Sequence, residues 1–166
     1  VMNYAKPKAV TGRLLNSSGR ADSPHPVPTE FSGEVFFEDV SASFYCSFLT
    51  EHQQLAHISG SRGNLRIDDF VLPYYGNRIG FQSSNAEFDC DVCDFRMERH
   101  EQFHHVEEYA SSHVSSQETN LFRNFSNLVL GGKPDAHWPK ITMLTQKVMM
   151  ACMESAENGS KEIEIA

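Results

Sequence analysis

Hydrophobic and polar positions alternate with a period of two through the first two-thirds of the chain. Over the last third the period becomes helical. Residues 7–16 predict a first strand, centred on Val10-Thr-Gly-Arg-Leu-Leu15. Gly19, Asp22, Pro24, Pro26 and Pro28 mark 17–28 as a loop, because each favours a turn or denies the backbone a ladder bond. Phe31, Gly33, Val35 and Phe37 then alternate with Ser32, Glu34, Phe36 and Glu38. Past a turn at Glu38 and Asp39, Val40, Ala42, Phe44, Cys46 and Phe48 alternate with Ser41, Ser43, Tyr45 and Ser47. Each strand of this meander offers one apolar and one mixed face. Runs at 55–59 and 64–71 flank Gly60-Ser-Arg-Gly63, a hairpin with glycines at the turn. Residues 78–82, 87–97 and 102–109 predict three more strands. The connections are too short for crossover helices, so the sheet is expected to be antiparallel.

Leu121, Phe122, Phe125, Leu128 and Val129 share one helical stripe, with Ser115 and Ser116 as candidate caps before it. Gly131-Gly132 and Pro134 end the run. Pro139 suits the first turn of a second helix, whose stripe is Ile141, Leu144, Thr145, Val148, Ala151, Cys152 and Ser155, and Gly159 closes it. Residues 161–165 return as a short strand. A run of strands followed by two amphipathic helices predicts an α+β fold: an open, mainly antiparallel sheet with two C-terminal helices packed on one face. The other face is left for water or another subunit.

At 166 residues and 40% hydrophobic composition the chain fits a single domain, 1–166, with a real core. A net charge of −8 argues against nucleic acid, whose phosphates require a cationic surface. No apolar run reaches the roughly 18 residues of a membrane span. The chain opens on Val1 with no leader pattern, so a cytoplasmic setting and a domain starting at a cut or processing site are expected. Four cysteines then read as free thiols rather than a disulfide framework. The sequence has no G-x-G-x-x-G, no P-loop and no G-x-S-x-G.

Ile58-Ser-Gly-Ser-Arg-Gly-Asn-Leu65, followed by Asp68-Asp69 and Pro73, resembles the I-x-G-[ST]-x-G-x-[LI] strand, acidic residue and Pro loop of the glucose–fructose oxidoreductase, inositol dehydrogenase and MocA family. The stretch 42–48 looks like the family's preceding strand. Residues 117–134 are similar to its F-x-x-x-[VIL]-x-x-G-x-x-P helix, and 145–159 to its final helix, ending Ser-Ala-x-x-Gly. The ordered set covers nearly the whole chain, although each motif by itself is weakly specific. The resemblance implies the C-terminal, substrate-side domain of a two-domain NAD- or NADP-dependent oxidoreductase acting on a sugar, cyclitol or polyol. Its partners would be the chain's own N-terminal Rossmann domain, absent here, and further copies meeting through the sheet face that carries Ser41, Ser43, Tyr45 and Ser47. The family's Glu-Lys-Pro motif and its Asp-x-Gly-x-(His/Tyr) helix are absent from this stretch. Ala5-Lys6-Pro7 has the wrong first residue for the former and reads as a connector. No catalytic and no cofactor-binding residue is therefore assigned, and the fragment alone is expected to be inert. Tyr74, Tyr75 and Arg78, past Pro73, are the candidate substrate-binding residues, because by family analogy that side faces the cofactor cleft.

Two readings from other classes stand beside this one. A non-catalytic scaffold relative would keep the fold and lose turnover. A metal or redox module would centre on Cys90-Asp-Val-Cys93 with His100, His104 and His105. Residues three apart on a strand point to opposite faces, so Cys90 and Cys93 need a turn to reach one metal; with none expected, no metal ligand is assigned. The charged run 98–108 reads as a solvated edge that discourages unwanted pairing. Gly60-Ser-Arg-Gly63 mimics the G-x-x-G clamp of KH domains, but joins strands in an acidic chain. Asn16, Asn124 and Asn158 head N-x-Ser sequons that carry little weight without a leader. His137 and Trp138 read as capping and core residues.

Overall fold

A computed structural model describes residues 2–22, 25–71, 78–107 and 113–166. The elements in chain order are strands β1 (Ala9–Ser18), β2 (Val27–Phe36), β3 (Ser41–Ser47), β4 (Ala56–Gly60), β5 (Gly63–Ile67), β6 (Arg78–Asp91) and β7 (Asp94–Glu107). Helices α1 (Gln117–Gly131) and α2 (His137–Glu157) and strand β8 (Ile163–Glu164) follow. The fold is α+β with antiparallel strand ladders and two C-terminal helices. Where one sheet was expected, the strands form two four-stranded sheets, ordered β3-β2-β1-β8 and β4-β5-β6-β7. They belong to two compact units, 1–51 with 134–166, and 52–133.

In the first unit the alternation read from sequence becomes a ladder. Val10 faces Val35, Gly12 faces Gly33, and Leu14 faces Phe31. Across the next pair Val35 meets Ala42, Gly33 meets Phe44, and Phe31 meets Cys46. Helix α2 covers this face. Its Ala151 and Cys152 join Val10, Phe31 and Ile165 in the buried core, with Leu144, Val148, Met153 and Ala156 around them. The helix and β1 come unusually close: a Cβ on Gly12 would sit 2.2 Å from the Cys152 carbonyl oxygen, so only glycine fits. The fully buried Ser155 closes the seam, its Oγ accepting from the Gly12 N–H at 2.9 Å and donating to the Lys161 carbonyl. Strand β8 is pinned to β1 by pairs Ala9–Glu164 and Val10–Ile163. The N-cap position of α2 is Ala136 and His137 is its first helical residue, its N–H donating to Asp135 Oδ1, so His137 is not a cap. Trp138 is exposed rather than part of the core.

In the second unit, β4 and β5 make the hairpin expected around Gly60–Gly63. The larger departure follows it. Residues 78–107 are one long hairpin, β6 and β7 paired in unbroken register from Arg78–Glu107 to Asp91–Asp94, with Val92 and Cys93 at the turn. The stretch 87–97, read as one strand, is therefore the tip of this hairpin. Strand β5 pairs only with residues 82–84 of β6, so the hairpin runs on past the sheet as a two-stranded ribbon. Helix α1 is capped by Ser116, whose Oγ accepts from the Thr119 N–H, and ends at Gly132. It has no buried residue.

Candidate functional site

Register divides the sheet β4-β5-β6-β7 into two chemically different faces. On one lie Ala56, Ile58, Leu65, Ile67, Ile79, Phe81 and Val106, a mainly apolar set that Ser83, Gln102 and His104 continue towards the ribbon. On the other, successive cross-strand rows set His57 beside Arg66 and Gln82, and Asn64 beside Ser84, followed by His105 and by Arg78 opposite Glu107. This second face is a field of hydrogen-bonding groups. Asn64 Oδ1 accepts from Ser84 Oγ at 2.9 Å and lies 3.4 Å from His57 Nε2. Arg66 donates to Asp68 at 2.7 Å, and the His105 ring stacks on Phe103 with centroids 5.6 Å apart. Gly63, at φ 150°, lets β5 lie against the Ser84 carbonyl, which a Cβ would approach to 2.6 Å. That contact holds Asn64 and Ser84 in register.

Of the three residues expected to bind substrate, Arg78 opens β6 as an exposed cation on this polar face. Tyr74 and Tyr75 lie outside the described residues. Arg78 opens the strand expected at 78–82, whereas His57, Asn64, Arg66, Gln82, Ser84 and His105 were not expected beside it. The signal for His57, Asn64 and Arg66 was present, since they are the polar positions of the alternating hairpin runs. Ser84 and His105 join them only through the β5–β6 and β6–β7 registers.

The ribbon carries the residues of the metal reading. Cys90 is the last residue but one of β6, opposite Phe95, its Sγ 3.9 Å from the Val92 carbonyl, and Cys93 sits in the turn. The turn that such a site would need exists. Among the described residues, however, the potential ligands that gather are Glu87, Glu98 and His100, all exposed, with their ligand atoms within 4.8 Å of one another. Glu87 and Glu98 are direct cross-strand partners, and His100 Nε2 lies 3.9 Å from a carboxylate oxygen of each. His104 shares that face of the hairpin, accepting or donating at Ser83 Oγ at 3.0 Å, whereas His105 points to the opposite one. The histidines therefore divide between both faces and make no single cluster.

In the first unit the open face of the sheet bears Ser41, Ser43, Tyr45 and Ser47 together with Glu30, Ser32 and Glu34, and Tyr45 Oη donates to Glu30. A hollow of about 610 Å³ lies where β1 and β2 diverge, lined by Arg20, Asp22, His25 and Thr29 among others. Its lining holds one arginine and one aspartate. Burial pushes the Cys152 thiol above its ordinary value of 9.0, so it packs as a neutral apolar group.

No protein-family model matches the chain. The fold is shared with yvaA of Bacillus subtilis, a protein provisionally designated an oxidoreductase, at a TM-score of 0.58 and 13% sequence identity. The match covers 97% of this chain and 46% of that one, so the chain spans under half the length of the protein it resembles.

Proposed function

We propose that this chain is the substrate-side part of an NAD- or NADP-dependent oxidoreductase acting on a sugar, cyclitol or polyol, of the glucose–fructose oxidoreductase kind. One observation carries the reading: nearly all of this chain takes the fold of less than half of an oxidoreductase-designated protein. The remainder of such an enzyme would supply the dinucleotide site and the proton-transfer groups. The polar face of the second sheet supports the substrate class. A polyol presents alternating donors and acceptors, and His57, Asn64, Gln82, Ser84 and Arg78 offer both kinds in rows set by the strand spacing. On this reading Arg78 and the neighbouring Tyr74 and Tyr75 hold hydroxyl groups, and the hydride passes to the nicotinamide.

The open face bearing Ser41, Ser43, Tyr45 and Ser47 is proposed as an assembly surface. Its four serines, Ser32, Ser41, Ser43 and Ser47, leave room for a second sheet to approach beside Tyr45. Three exposed free thiols, Cys46, Cys90 and Cys93, fit a reducing compartment such as the cytoplasm.

The test uses the full-length polypeptide, assayed for nicotinamide reduction over a panel of sugars, cyclitols and polyols. Turnover is expected, and Arg78→Ala should raise KM about tenfold, near 1.4 kcal/mol of lost binding, with kcat nearly unchanged. A full-length protein with folded dinucleotide-binding and sheet parts but no turnover on any polyol would favour the scaffold reading instead.

A further inference from the structure

Helix α1 has an apolar stripe that the described residues leave uncovered. Ser116 caps its start and Gly132 its end, and Phe122 and Phe125 remain 68% and 65% exposed, with Leu121 and Val129 similar. An isolated helix of 15 residues is marginal in water, and most helical stability comes from packing an apolar face. A capped helix with two bare phenylalanines on one stripe is built to be covered.

The stripe itself names a fitting occupant. Leu121, Phe122, Phe125, Leu128 and Val129 stand at −4, −3, 0, +3 and +4 from Phe125. That spacing reads the same in both directions, which is what a two-fold axis requires of an isologous contact. We propose that α1 pairs antiparallel with α1 of a second copy of this chain, about an axis through Phe125. Phe125 then meets its counterpart at the centre, Leu121 lies opposite Val129 of the second copy, and Phe122 lies opposite its Leu128. One turn further out, Glu118 falls beside Gly132 and Lys133 of the other helix, so each end of the contact pairs an acid with a base. The antiparallel arrangement also brings each helix N-terminus to the other's C-terminus, where the macrodipoles attract. The four exposed stripe residues offer about 500 Å² per copy, hence about 1,000 Å² in the pair, the lower bound for a specific and reversible interface.

The experiment is sedimentation equilibrium of the chain from 5 to 200 μM (concentrations on the order expected for an interface of this size), with circular dichroism to confirm folding of each variant. A monomer–dimer equilibrium is expected. Phe125→Glu, which sets two carboxylates on the axis at an already exposed position, should weaken the dimer at least tenfold. Glu118→Lys alone should weaken it severalfold, and Glu118→Lys with Lys133→Glu should restore it, a recovery that a purely local role of either residue would not produce. A monomer throughout the range overturns the proposal and leaves the stripe to another segment or partner. So does a dimer indifferent to Phe125→Glu, which would point to the open face of the first sheet.

Discussion

Among the described glycines, Gly12 meets the closest neighbour, a carbonyl oxygen. Gly12 brings β1 so near to α2 that the Cys152 carbonyl occupies the place of a side chain, and Ser155 then accepts the Gly12 N–H and donates to Lys161 with nothing left unpaired. Ser155→Ala strands the buried Gly12 N–H and the part-buried Lys161 carbonyl, so a loss of about 2 kcal/mol in denaturant unfolding is expected, with the slope unchanged. Ser155→Cys should not rescue it, because the larger sulfur makes weaker bonds in a seam with no spare volume. Cys152 adds a pH dependence. Its thiol is raised in the folded state by burial, so above the ordinary value of 9.0 the unfolded chain releases a proton that the folded one keeps. The unfolded state is then the less protonated one, and stability falls as pH rises from 9.0 towards the raised folded value. Cys152→Ala should reduce that alkaline slope relative to the unaltered protein in parallel unfolding curves. An equal slope in both would show that the thiol titrates freely. None of this seam was legible in the sequence, where Gly12 looked like an ordinary strand residue and Ser155 merely the last member of a helical stripe. Only the approach of β1 to α2, more than a hundred residues apart, gives either one its role.

At the level of elements, what could be read was local. Residues 57–67 announce a hairpin because their glycines fall where the chain reverses, and α1 and α2 announce themselves through caps and stripes. The long hairpin of β6 and β7 was hidden for the converse reason. Its turn, Asp91-Val92-Cys93-Asp94, has no glycine, asparagine or proline, and the alternation of Phe88, Cys90 and Val92 runs straight into it. Val92 nonetheless takes φ 53°, a conformation that a β-branched residue adopts only under strain, and it is 90% exposed. Nothing is lost on removing the side chain. Val92→Gly is therefore expected to stabilise the hairpin by about 1 kcal/mol, read as a rise in the unfolding midpoint and as slower amide exchange along residues 85–100. Destabilisation would mean that the valine packs on something in solution. The division into two sheets was equally unreadable, since a period of two states which face a residue occupies and not which strand lies beside it. The polar face around Arg78 shares this limit: each strand displayed its polar positions, and only register brought them together.

Taken whole, this chain on the proposed reading positions substrate and leaves the dinucleotide to the rest of the protein. It has no glycine-rich strand-to-helix turn to seat a pyrophosphate on backbone N–H groups. The cations on its polar sheet face stand beside acids, Arg66 with Asp68 and Arg78 opposite Glu107, within a chain of net charge −8. A polyanion approaching that face meets no net positive field, whereas an uncharged polyol needs none. The chain alone is accordingly expected to give no thermal shift with NAD⁺, NADP⁺ or their reduced forms at about 1 mM, because a ligand at 100 times its Kd would add about 2.7 kcal/mol and several degrees. The full-length polypeptide should show such a shift with one of the two coenzymes, and Arg78→Ala should leave it in place, since Arg78 is assigned to substrate. A saturable shift in the chain alone would locate a nucleotide site on these residues and break the division of labour. A shift in the full-length protein that disappears with Arg78→Ala would move the coenzyme onto the polar face and the polyol off it.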